Sequence, residues 1–146
     1  MKKGAVPESI PGLYDSFKQK TQTLSDMDGE WTETFLEFYK NGELVFKSWL
    51  ENGSIVSIML CEETGDAISN TLQLYPGSSV KDLISKEKKL KWTYYFDQYV
   101  YAESKDFFYA IPNEYLKASG ETAIGQRPLR ASDFNNGAHI ATITAR

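Results

Sequence analysis

The sequence holds one cysteine, one histidine and five prolines in 146 residues. A single thiol, Cys61, excludes an intramolecular disulfide framework and any multi-cysteine metal site. Its apolar runs last only a few residues, far short of the ~20 that a membrane-crossing helix needs. Lys2 and Lys3 open the chain, but Gly4 to Pro11 supplies no apolar stretch behind them, so no secretory signal is expected. Glycine-rich phosphate loops are missing too, because Gly120 and Gly125 have neither the spacing nor a strand before them. These absences predict a cytoplasmic protein with no cofactor.

What is present is ordinary in amount and uneven in placement. Apolar residues make up 41%, aromatics 14% and charged residues 25%. That suits one domain over residues 1–146, large enough to bury about two-thirds of its surface without staples. Residues 1–8 are expected to be flexible, and 117–146 to be a loosely packed segment with a possible hairpin about Asn136-Gly137. The net charge of −4 conceals an asymmetry. Residues 1–73 carry 6 Lys+Arg against 12 Asp+Glu, and residues 74–146 carry 10 against 8. Between Asp28 and Asp66, nine carboxylates face only Lys40 and Lys47. Such a segment attracts cationic partners and repels nucleic acid. The same charges also serve simply as a solvated face.

Periodicity supplies the elements. Ile10, Leu13, Tyr14, Phe17, Thr21 and Leu24 recur at three to four residues, which predicts an amphipathic helix over 10–25 capped by Ser9. Asp26-Met27-Asp28-Gly29 closes it. Strands follow at 31–39, 44–50, 55–61 and 67–75, joined by Asn41-Gly42, Asn52-Gly53 and a Thr64-Gly65-Asp66 turn, as a four-stranded meander. Ser79 and Asp82 form a capping box for a short helix over 79–89. Lys91 to Glu103 reads as one long strand that returns through Phe107 to Ile111. The expected fold class is α+β: an N-terminal helix, a largely antiparallel sheet of six to seven strands, and one short helix between strands.

Catalytic constellations are thin. His139 is the sole imidazole, and Cys61 lies near the end of an apolar strand; a buried structural thiol and a surface imidazole are the expectation. Glu62, Glu63 and Asp66 cluster in one turn without the alternation of a calcium loop, so no metal is expected. Basic residues are too dispersed for a nucleic-acid face. The chain is therefore not expected to be an enzyme, although carboxylates and tyrosines leave that class as a third reading.

The strand from Lys91 to Glu103 stands out. Trp92, Tyr94, Phe96, Val100 and Ala102 occupy even positions that suit a core. Odd positions then present Tyr95, Asp97, Tyr99, Tyr101 and Glu103. Tyrosines provide rigid contact area, and carboxylates beside them favour a Lys/Arg-rich partner. Two readings stand: an exposed binding face, or a central strand covered on both sides, where Asp97 would need a partner of its own. On the first, the partner-binding residues are Tyr95, Asp97, Tyr99, Tyr101 and Glu103, with Glu62, Glu63 and Asp66 adding charge.

The stretch Leu44 to Asp66 (LVFKSWLENGSIVSIMLCEETGD) places a Trp-bearing strand, a Gly turn, a long apolar strand and a Thr-Gly turn in succession. Over this sixth of the chain it resembles the immunity proteins of bacterial polymorphic and contact-dependent toxin systems. The resemblance implies a non-catalytic inhibitor that binds one cognate toxin domain, here a basic, nuclease-type one, and occludes its active site. The short apolar runs and the dispersed basic residues predict no membrane and no nucleic acid as partner; exposed strand edges leave a monomer or a weak homodimer. The alternative is a small-molecule-binding barrel, because Gly29-Glu30-Trp31 is similar to the Gly-x-Trp that opens lipocalin-like barrels.

Overall fold

The computed structural model describes residues 14–64, 68–94 and 98–145. They group into two compact units that divide between Met59 and Leu60. Expectations for residues 1–13, and for Asp66, Tyr95 and Asp97, lie outside the described residues, as does the Glu63 side chain.

The first unit is a run of antiparallel hairpins: β1 (Ser16–Asp26), β2 (Gly29–Lys40), β3 (Glu43–Glu51) and β4 (Ser54–Leu60). Asn41 and Gly42 both take positive φ, 53° and 80°, and so do Asn52 and Gly53, at 52° and 76°. Two such residues in succession give the turn whose twist matches that of the flanking strands.

The helix expected over 10–25 is not there: residues 16–26 are strand β1. Each of its residues has a partner in β2, in unbroken register from Ser16 opposite Tyr39 to Asp26 opposite Gly29. An eleven-residue ladder outweighs the slight helix preference of the polar residues, and Thr21 and Thr23 favour the strand already. Asp26 to Gly29, expected to stop a helix, instead turns a hairpin, in which the Asp28 N–H donates to Asp26 Oδ1 at 2.7 Å.

One face of this sheet is aromatic core. The Phe38 ring stacks on Phe46 with centroids 4.3 Å apart, and Tyr14 meets it edge-on at 4.8 Å. Leu36 and Ile55 are buried as well. Ser48 is buried on β3 with no hydrogen-bond partner for its hydroxyl. A buried orphan hydroxyl costs free energy, so Ser48→Ala is expected to raise stability by about 1 kcal/mol in urea titration. Destabilisation would mean that the hydroxyl has a partner after all.

The second unit carries α1 (Val80–Lys86), β5 (Lys91–Tyr94), β6 (Tyr99–Glu103), β7 (Phe107–Pro112), α2 (Ala118–Ala123) and β8 (Thr142–Ala145). Its strands lie in the order β8-β7-β6-β5, all antiparallel. Ser79 caps α1, accepting the Asp82 N–H at 3.0 Å. No strand forms over 68–75. There Asn70 Oδ1 accepts the N–H groups of Leu72 and Leu74, each at 3.0 Å, and a side chain that satisfies the backbone locally competes with a sheet ladder.

The long strand expected over 91–103 is a hairpin, β5 against β6, with Lys91 opposite Glu103 and Tyr94 opposite Val100. Residues 117–145 are likewise not the loose hairpin segment expected. Leu129, Phe134, Ile140 and Ile143 are core residues, and β8 pairs with β7.

The fold is thus β-rich and antiparallel, with eight strands and two short helices among the described residues, rather than α+β with an N-terminal helix. Among the described residues, β1 pairs with β2 alone and β5 with β6 alone.

Candidate protein-binding surface

Strand β3 pairs with β2 no further than Thr34, opposite Leu50. Beyond that point β1 and β2 continue alone, as a two-stranded arm running from about Thr21 to Glu33 and turning at Met27-Asp28. Only Leu24 and Glu33 along it are even half-buried. Met27 at the tip is fully exposed, and Trp31 is 43% exposed, directly opposite Leu24. These two exposed apolar side chains, with Leu24, are what the arm offers for a contact surface.

The arm carries Asp26, Asp28, Glu30 and Glu33 and no lysine or arginine. Glu33 is held in place: Trp31 Nε1 donates to one oxygen at 3.4 Å, and Gln22 Nε2 to the other at 3.3 Å. An apolar tip with carboxylates around it suits a cationic surface that has an apolar recess.

The face of β1 and β2 that bears Trp31 runs back from the arm through charged and aromatic side chains. Lys20 pairs with Glu37 at 3.0 Å, and the Tyr39 hydroxyl donates to the same carboxylate. The Tyr39 hydroxyl, and after it Lys20, hold the Glu37 carboxyl below the usual carboxylate range. The same bond raises the Tyr39 phenol. Lys18 lies 5.2 Å from the Tyr39 ring centroid, and Lys47 lies 5.9 Å from that of Phe35. Phe35 in turn neighbours Trp49 at 6.3 Å. This stretch of the face carries three lysines, Lys18, Lys20 and Lys47, to the one carboxylate of Glu37, whereas the arm carries carboxylates alone.

The residues singled out from the sequence fall elsewhere. Tyr99, Tyr101 and Glu103 are half-buried on one face of β6. Tyr101 stacks on Phe108 at 4.9 Å and lies 6.2 Å from Tyr99, so these rings pack on their own unit. Tyr109, on the return strand, is fully buried. Its hydroxyl donates to Glu87 at 2.8 Å and accepts from Asn70 at 3.0 Å. Burial, with the Glu87 bond, drives its phenol far above the ordinary range. Glu62 is exposed in a short 3-10 turn.

Cys61 is buried, with Thr64 Oγ1 accepting its backbone N–H at 3.0 Å. His139 Nδ1 lies 3.1 Å from the Gly137 carbonyl oxygen, and its ring sits 5.1 Å from that of Tyr115. No group of three or more metal-ligating side chains forms among these residues, and no helix is long and apolar enough to cross a membrane. Sequence reasoning missed the arm. Its signals were the alternating threonines at 21 and 23 and the Asp-Gly turn at 28–29.

Comparison with known proteins bears on the fold. No protein-family model matches the chain, and no curated protein does. Among solved structures, the chain is similar to the crystal structure of the uncharacterized protein YfeY from Escherichia coli. That match has a TM-score of 0.53 and 14% identity, over 92% of this chain and 82% of that one. The likeness is one of fold.

Proposed function

We propose that this chain is a non-catalytic protein-binding inhibitor of the immunity-protein kind. It acts in the cytoplasm on a basic partner, most concretely a nuclease-type toxin domain. The observation that carries this reading is the acidic arm: four carboxylates without a cation, around an exposed Trp31 and Met27. An active site that handles nucleic acid is cationic, and the arm's carboxylates are complementary to it in charge. Trp31 then anchors the contact, the carboxylates steer the approach, and the active site is closed to its substrate. The tyrosines of β6 are left to packing.

Co-expression with the captured partner tests this. The wild-type chain is expected to recover a basic protein in a 1:1 complex and to abolish its activity. Asp28→Lys with Glu30→Lys is expected to slow association roughly tenfold or more at low salt. Recovery of no protein, or undiminished inhibition by the charge-reversed arm, would overturn the proposal.

A further inference from the structure

Among the described residues strand β1 ends the sheet, and none of them pairs with its outer edge along eleven residues, all but Leu24 exposed. Proteins usually guard such an edge with a bulge, a proline or a charge that stands over it. Here the register to β2 is unbroken, and no proline occurs from 16 to 26. Of its two lysines, Lys20 is paired with Glu37, and Lys18 lies over the Tyr39 ring with its charge left available for a carboxylate across the edge. The edge is an open template for another strand.

We infer that this edge is the self-association surface of the protein, with β1 pairing antiparallel to β1 of a second copy about a two-fold axis at Gln22. The sequence of the strand is complementary to itself in that register. Lys18 comes opposite Asp26 of the second copy, and by symmetry Asp26 opposite its Lys18. Lys20 meets Leu24, Thr21 meets Thr23, and Gln22 meets Gln22. Opposite charges and paired threonines are favourable across strands, and like charges are not. Sliding the pairing so that the axis falls on Lys20 sets two lysines face to face. Moving it to Thr21 leaves Lys18 facing Leu24 and removes the ion pairs. The contact is isologous, so it closes at two copies and does not propagate through this edge. It stands on the geometry of β1; it shares Asp26 with the arm and leaves Asp28, Glu30 and Glu33 to the partner surface.

The test uses the full chain in a Cys61→Ala background. Gln22→Cys sets two thiols opposite one another, with Cα atoms about 4.5–5.5 Å apart and within reach of a disulfide. Mild oxidation is expected to give a linked dimer. Gln19→Cys, on the same exposed strand, lies ~20 Å from its own counterpart in this register and is expected to stay unlinked. In sedimentation, Lys18→Asp is expected to weaken the dimer about tenfold. Adding Asp26→Lys to that variant is expected to restore it. A chain that remains monomeric at millimolar concentration would overturn the inference. So would equal cross-linking at 19 and 22, or a dimer indifferent to Lys18→Asp. If Asp26→Lys upsets the turn, the cross-linking comparison still decides.

Discussion

Replacing Phe38 with alanine is expected to destabilise the protein by about 3–5 kcal/mol, the largest effect of any single truncation in the first unit. The ring is fully buried, stacked on Phe46 at 4.3 Å, met edge-on by Tyr14 at 4.8 Å and flanked by Phe17 at 5.9 Å. Removing it takes the common neighbour from all three rings. Urea unfolding followed by tryptophan fluorescence reads the change as a lower midpoint at similar slope. Phe17→Ala is the internal comparison: that ring is about half exposed, and its loss is expected to cost far less. Equal effects would mean that the stack is not what holds the unit.

The second large effect is tied to pH. Asp133 is buried and accepts four hydrogen bonds. Two come from the Arg127 guanidinium at 2.8 and 2.9 Å, one from the Arg130 N–H at 2.8 Å, and one from the Ser119 hydroxyl at 3.0 Å. The Arg127 bonds above all, with those of Arg130 and Ser119, hold its carboxyl far below the ordinary value of 3.8 in spite of burial. A carboxyl whose folded value is depressed binds its proton more readily when unfolded. Its stabilisation is therefore complete above about pH 4 and drains away as the pH falls toward the folded value. Asp133→Ala is expected to cost roughly 3 kcal/mol at pH 7, because Arg127, Ser119 and the Arg130 amide lose their acceptor together. The difference from wild type is expected to shrink as the pH falls below 4. A difference constant from pH 7 to pH 2 would show that the carboxylate charge plays no part.

Legibility in the sequence followed the range of the interactions. Asn41-Gly42, Asn52-Gly53 and the Ser79 cap are decided within four residues, and each appears where local chemistry places it. Strand β1 depends on β2, and Tyr14, Phe17, Thr21 and Leu24 mimic a helical spacing that only the ladder overrules. The reversal between β5 and β6 has no glycine, proline or asparagine to announce it, so 91–103 reads as one strand. Residues 117–145 look sparse because their packing uses small apolar side chains, Ala123, Ala138 and Ala141, and a polar pin at Asp133. For the candidate site, the acidity of residues 28–66 is plain in the sequence. That three of these carboxylates stand with Asp26 on a two-stranded arm is not, because it depends on β3 meeting β2 only as far as Thr34.

The central claim is that the arm recognises a basic protein by charge and by Trp31. The association rate with the captured partner, measured by stopped-flow fluorescence across ionic strength, tests it most directly. The wild-type rate is expected to fall steeply as salt rises. Neutralising Asp26, Asp28, Glu30 and Glu33 to their amides is expected to lower the rate at low salt and flatten the dependence, and Trp31→Ala to speed dissociation. A wild-type rate indifferent to salt, or an unchanged rate with the neutralised arm, would contradict the account.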